Sequence, residues 1–267
     1  MSENDDALIG RLMTRREVLG LFGIAGAALI VGCGNDSNSS TPTRAATGAP
    51  ASPTTQAATA AATASGQTAA PACVVVPELT EGPYFVDEML NRSDIRSDPS
   101  NNKMSDGNQL DIALNVSQVG GDGSCTPLSG AQVDVWHCDA LGVYSDVSEM
   151  GFNTTSQKFL RGYQVTDSNG KAAFTTIYPG WYQGRATHIH FKIRSDDGRE
   201  FTSQWFFDDA LSDTVQAQGA YASKGVAGRL QNSGDNIYEG TNGLLTLDVA
   251  SSGNGYAASF DIGVRTA

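Results

Sequence analysis

His188-Ile189-His190 is the stretch with the clearest capacity for chemistry. On a strand, residues i and i+2 project from one face, so the two imidazoles stand side by side while Ile189 and Phe191 turn inward. Two neutral imidazoles on a rigid strand make half of a metal site; the plain alternative is a pair of half-exposed strand histidines. With only 3 His in the chain, a His-based site must draw on His137, His188 and His190. Other blocks of reactive side chains flank the pair. Thr80-Glu81-Gly82-Pro83-Tyr84 and Trp136-His137-Cys138 through Gly142-Val143-Tyr144-Ser145 precede it. Phe159-Leu160-Arg161-Gly162 and Pro179-Gly180-Trp181-Tyr182-Gln183-Gly184-Arg185 follow those, and Thr202-Ser203-Gln204-Trp205 comes after the histidines.

The elements that must position these residues are strands. Leu110, Ile112, Leu114 and Val116 alternate with polar or small residues. So do Ala131, Val133 and Val135, then Leu245, Leu247 and Val249, and finally Ala258, Phe260, Ile262 and Val264. Turn signals separate the runs: Gly120-Gly121-Asp122-Gly123, Pro127-Leu128-Ser129-Gly130, Ser168-Asn169-Gly170 and Ser251 to Gly255. Many short alternating strands with Gly/Asn/Pro turns predict an all-β, antiparallel sandwich with long loops and little helix. Only residues 209–228 read as locally helical.

The chain has 267 residues and a formal net charge of −12, which argues against a nucleic-acid partner. Hydrophobic residues at 40% exclude a wholly disordered chain. Residues 1–33 read as an export signal: Arg15-Arg16 is a twin-arginine pattern, an apolar run follows, and Leu29 to Cys33 resembles a lipobox. Cys33 is then the lipidation site and the protein a membrane-anchored lipoprotein on the periplasmic or cell-surface side. Twin-arginine export suits proteins folded before transport, often with a cofactor loaded. Residues 34–72 are a low-complexity linker of Ser, Thr, Ala, Pro and Gly. Residues 73–267 form the working domain. In an oxidising compartment Cys73, Cys125 and Cys138 allow one disulfide. The extended strand between Cys125 and Cys138 disfavours joining those two, so Cys73–Cys125 is the expected pair.

The reactive blocks, in this order over roughly residues 73–264, resemble the intradiol ring-cleaving dioxygenases that act on catechol, hydroxyquinol and protocatechuate. The resemblance implies a β-sandwich holding one non-haem Fe(III). Tyr144 and Tyr182 correspond to tyrosinate ligands, and His188 and His190 to imidazole ligands. Tyr182 would double as internal base. Arg185 would stabilise negative charge on the ring, Gln204 would orient oxygen, and Tyr84 and Trp181 would line the substrate. His137 has no ligand role in the pattern and reads as structural. The implied reaction opens a catechol-type ring between its hydroxylated carbons with O2, giving a cis,cis-muconate-type diacid. The donor set suits the ion: Fe(III) is hard, and two phenolates with one hydroxide neutralise its charge.

Two departures stand out. Signal and linker occupy the place of the helical segment through which cytoplasmic relatives dimerise. Only five residues separate Tyr182 from His188, which implies a more open mouth and access for substituted catechols. The main rival is a non-catalytic surface β-sandwich binding module, for which Pro127-Leu128-Ser129-Gly130-Ala131 and Val133 would be the signature. A zinc hydrolase ranks lower, since no carboxylate stands near the histidine pair.

Overall fold

The computed structural model describes residues 73–265. The expected signal peptide, the lipidated Cys33 and the linker over 34–72 lie outside these residues. Thirteen strands follow in chain order: β1 (Ser97–Asp98), β2 (Lys103–Met104), β3 (Gln109–Val119), β4 (Cys125–Pro127), β5 (Gln132–Trp136), β6 (Ser148–Glu149), β7 (Phe152–Asn153), β8 (Arg161–Val165), β9 (Lys171–Ile177), β10 (His188–Arg194), β11 (Glu200–Phe206), β12 (Val249–Ser252) and β13 (Gly255–Arg265). Two short helices, α1 (Asp209–Gln216) and α2 (Asn236–Glu239), lie between β11 and β12.

Nine of these strands make two layers, while β1-β2 and β6-β7 pair as separate two-stranded sheets. One sheet runs β11-β10-β5-β8, all antiparallel. The other runs β12-β13-β3, with β9 and β4 sharing the far edge of β3. The alternation in β3 comes out as expected, with Leu110, Ile112, Leu114 and Val116 buried between the layers. From the facing sheet come Val133, Ile189, Phe191 and Trp205. Phe191 stacks on Trp205 at 4.3 Å, and both rings meet Phe260 of β13. Each large apolar side chain so enclosed contributes roughly 1.5–3 kcal/mol.

Three local expectations are corrected. β13 pairs with β3 in parallel, from Tyr256↔Leu110 to Arg265↔Val119; the long excursion between the two strands permits this. The run at Leu245 and Leu247 is no strand. It forms a single bridge, with Phe206 N–H donating to Leu245 and Leu247 N–H donating to Phe206, and β12 begins only at Val249. The helix expected over 209–228 stops at Gln216 and continues as turns around Gly219 and Gly225, both at positive φ. α1 itself is capped by the Asp208 carboxylate, which accepts from Leu211 N–H.

Cys73 and Cys125 form a disulfide that pins the first described residue to β4, and Cys138 remains a buried free thiol.

Candidate metal centre

β10 puts His188 and His190 on one face, as a strand must. Its neighbours bring the rest. His190 lies opposite Trp136 of β5 on one side and Gln204 of β11 on the other. The loop leaving β5 carries Tyr144, and the loop leaving β9 carries Tyr182. Those loops are fastened together: Gly180 N–H donates to Asp139 O at 3.0 Å, and the Lys224 ammonium donates to Leu141 O and Trp181 O, each at 2.6 Å. The approach is so close that a Cβ on Gly142, at φ +84°, would stand 2.1 Å from Trp181 O.

The four side chains converge. His188 Nε2 lies 3.1 Å from His190 Nε2 and 3.2 Å from the Tyr182 hydroxyl. The rings of Tyr144 and Tyr182 meet edge-on at 5.7 Å, and Tyr144 meets His190 at 6.2 Å. His188 Nδ1–H donates to Ala186 O at 2.7 Å, which fixes the tautomer and leaves a lone pair on Nε2. The Tyr144 hydroxyl is buried without a hydrogen-bond partner, and so is His190 Nδ1. The His190 ring is held by packing instead, stacked on Trp136 at 4.9 Å and 10°.

Burial dominates the electrostatics. It pushes Tyr182 up to about 12 and Tyr144 well above its ordinary value. It lowers His188 to about 3, helped by the Arg185 cation, and lowers His190 strongly. The protein's own groups therefore keep both phenols protonated and both imidazoles neutral. Only a bound cation would reverse the preference of the phenols. Among the described residues no group of three or more His, Cys, Asp and Glu could hold a metal. A hard cation is what this set suits: facing imidazole nitrogens, a phenol beside them and a second phenol with its oxygen unsatisfied.

Arg185, Gln204 and Tyr84 join the cluster. Arg185 Nη2 donates to Gln204 Oε1 at 2.5 Å, and Nη1 comes within 3.5 Å of His188 Nε2. Gln204 Nε2 donates to Thr80 O at 2.8 Å, so the amide bridges Arg185 to the Thr80–Tyr84 segment. Tyr84 stacks on Tyr144 at 4.4 Å and meets Tyr182 edge-on at 6.1 Å. Trp181 is placed elsewhere: its indole N–H donates to Gly225 O at 2.7 Å and its ring lies under Lys224 at 4.5 Å. His137 hydrogen-bonds Cys138 O and the Thr176 hydroxyl, outside the cluster.

Three residues gain a part that the sequence reading did not give them. Arg161 is buried and donates to Tyr84 O at 2.6 Å and to Ser145 Oγ and O at 2.8 and 2.6 Å. It thereby ties Tyr84 to the residue beside Tyr144. Burial lowers it to about 10, so it stays a cation at neutral pH. A lone Arg at the head of an apolar strand block was the available signal. Trp136 is the platform on which the His190 ring stacks. Gly82, at φ +73°, passes so close to His190 that a Cβ would stand 3.3 Å from Cε1.

Fold and site together define a β-sandwich protein with a phenol–imidazole cluster at one end of the four-stranded sheet. A family model described as "Dioxygenase" matches residues 80–262. The chain is 30% identical over 152 residues to catechol 1,2-dioxygenase 1 of Acinetobacter lwoffii, covering 48% of this chain and 45% of that protein. It is 31% identical over 100 residues to a chlorocatechol 1,2-dioxygenase of Pseudomonas sp. (strain P51), covering 31% and 38%. It thus spans less than half the length of these curated relatives. A solved intradiol ring-cleavage dioxygenase from Tetranychus urticae superposes with a TM-score of 0.62 at 29% identity, covering 72% of this chain and 95% of that one. The chain belongs to the intradiol ring-cleavage dioxygenase family.

Proposed function

We propose that this protein opens catechol-type rings between their two hydroxylated carbons with O2, giving cis,cis-muconate-type diacids, and that it holds one non-haem ferric ion for the purpose. The observation that carries this is the convergence of Tyr144, Tyr182, His188 and His190, with the Tyr144 oxygen buried and unsatisfied. These four would be the ligands. The chemistry a ferric ion supplies there is chelation of the catecholate and acceptance of electron density from it, which opens the ring to O2.

The chain's own residues do the rest. Tyr182 is the more exposed of the two phenols; held as a tyrosinate by the cation, its oxygen would be the one to receive a catechol proton. Arg185 sets a permanent cation beside His188 Nε2, where it stabilises negative charge developing on the ring. Gln204, engaged at both ends of its amide, orients Arg185. Tyr84 covers Tyr144 and shields it from water. Gln183 and Gly184 in the loop before the histidines are exposed, which supports access for substituted catechols.

Absorption spectroscopy tests the reading. The purified ferric protein should be red-brown, catechol without oxygen should shift the band, and oxygen should bleach it as a muconate absorbance rises. A protein that stays colourless after reconstitution with iron would favour the surface binding module. A panel of 3- and 4-substituted catechols tests the open mouth: turnover confined to catechol itself would refute it.

We also propose export by the twin-arginine route and anchoring through lipid on Cys33. The Cys73–Cys125 disulfide supports an oxidising compartment. Cys33→Ser should release the protein from the membrane fraction; unchanged fractionation would dismiss the anchor.

A further inference from the structure

Asp235 is a buried carboxylate that the reaction as described above leaves without a task. It stands at the N-terminus of α2, far along the chain from every block that carries the cluster. One oxygen, Oδ1, accepts from Ile237 N–H at 2.9 Å and caps the helix. The other, Oδ2, accepts from Arg185 Nε at 2.9 Å and from Ala186 N–H at 2.8 Å. The Arg185 side chain is only 15% exposed, but it follows Gly184, which is exposed at φ +89°. Solvent therefore lies within its reach if nothing holds it inward.

The guanidinium is gripped on two edges. Nε is held by Asp235 and Nη2 by Gln204, which leaves Nη1 pointing at His188 Nε2. A planar fork held at two points has one orientation, whereas held by the neutral Gln204 alone it could pivot. Asp235 also supplies the negative charge that makes a buried cation tolerable here.

We infer that Asp235 is a positioning residue, which acts through Arg185 by holding the guanidinium with its Nη1 edge toward the tyrosine–histidine cluster. The inference rests on the proposed reaction only for its kinetic consequence. A helix cap alone would need Oδ1 and no charge, and Asn caps as well as Asp. Asp235→Asn therefore keeps the cap while replacing Oδ2 by a donor that faces two donors.

D235N should lower kcat for catechol at least tenfold with KM changed less than threefold. The same substitution in an Arg185→Met background should cost less than twofold further, because the residue through which it acts is already gone. An equal loss in both backgrounds would overturn the inference. Phenylglyoxal labelling of the metal-free protein, followed by peptide mass analysis, needs neither substrate nor iron. Arg185 should label at least fivefold faster in D235N than in the parent, while exposed Arg199 is unchanged; equal rates at Arg185 would overturn the inference. A parent inactive on all catechols would sink the reaction, and the labelling would still decide the role of Asp235. Should D235N not fold, Asp235→Glu takes its place. It keeps the charge, and a kcat loss that vanishes in the Arg185→Met background is expected, with an equal loss overturning the inference.

Discussion

Tyr144 buries its hydroxyl with no hydrogen-bond partner, against the ring of Tyr84 and beside Tyr182. Leaving such a group unpaired costs about 1–3 kcal/mol, so Tyr144→Phe should leave the metal-free protein at least as stable in a thermal melt. The same substitution should abolish the red-brown colour and reduce turnover at least a hundredfold. A variant that melts several degrees lower and keeps its colour would place Tyr144 in the core alone. Gly82 shows the reverse case. Its φ of +73° and its closeness to His190 Cε1 make Gly82→Ala strained twice over. The expected cost is about 1–2 kcal/mol, with weaker iron retention, read from denaturant unfolding and metal analysis after dialysis.

At the scale of elements, the site depends on β5 and β10 lying side by side with both outer neighbours in register. β5 carries Asp134, whose carboxyl burial raises to about 6 despite the attraction of Arg194. A raised carboxylate destabilises the fold once ionised. The penalty is absent below pH ~4, where the unfolded group also holds its proton, grows as pH rises to about 6, and is constant above. Asp134→Asn should therefore gain stability relative to the parent between pH 4 and 6, by up to about 3 kcal/mol. Urea unfolding at pH 4.5 and pH 7.5 measures it; a difference that does not change with pH would remove Asp134 as the cause. The loops are the less protected elements. Their mutual spacing rests on Lys224 and a few backbone hydrogen bonds, and it sets how far apart the two phenols stand.

Across the whole molecule, the disulfide ties the start of the described chain to β4 at the edge of the five-stranded sheet, while the cluster sits on the four-stranded sheet. Cys73 and Cys125 are 52 residues apart in sequence. Closing a loop of that size restricts the unfolded chain by about 4 kcal/mol. Cys73→Ser should lower stability by a comparable amount at most, with the visible spectrum of the folded fraction unchanged. A lost spectrum at full folding would mean that the clamp reaches the site.

Much was legible without coordinates, and the reasons are local. Period-two alternation marked β3 and β13, because one face of each must meet the core. His188 and His190 share a face by the geometry of any strand, and the ordered blocks around Tyr144, Tyr182, Arg185 and Gln204 carried the family resemblance. What the sequence did not display arises from contacts between segments distant in the chain. The parallel pairing of β13 with β3 depends on how the long excursion from β3 returns to the sheet. Trp136 beneath His190 follows from the register of β5 on β10. Arg161 becomes a tie between Tyr84 and Ser145 only once two loops are folded onto it. Asp235 lies fifty residues beyond Arg185 and meets it because a short helix starts beside the β10 loop. Residue types and spacing fixed which groups were available for chemistry, since alternation and short-range geometry act within a few residues. The tertiary structure alone decided which of them touch, because hydrogen bonds and burial across the sandwich depend on packing that no single segment encodes.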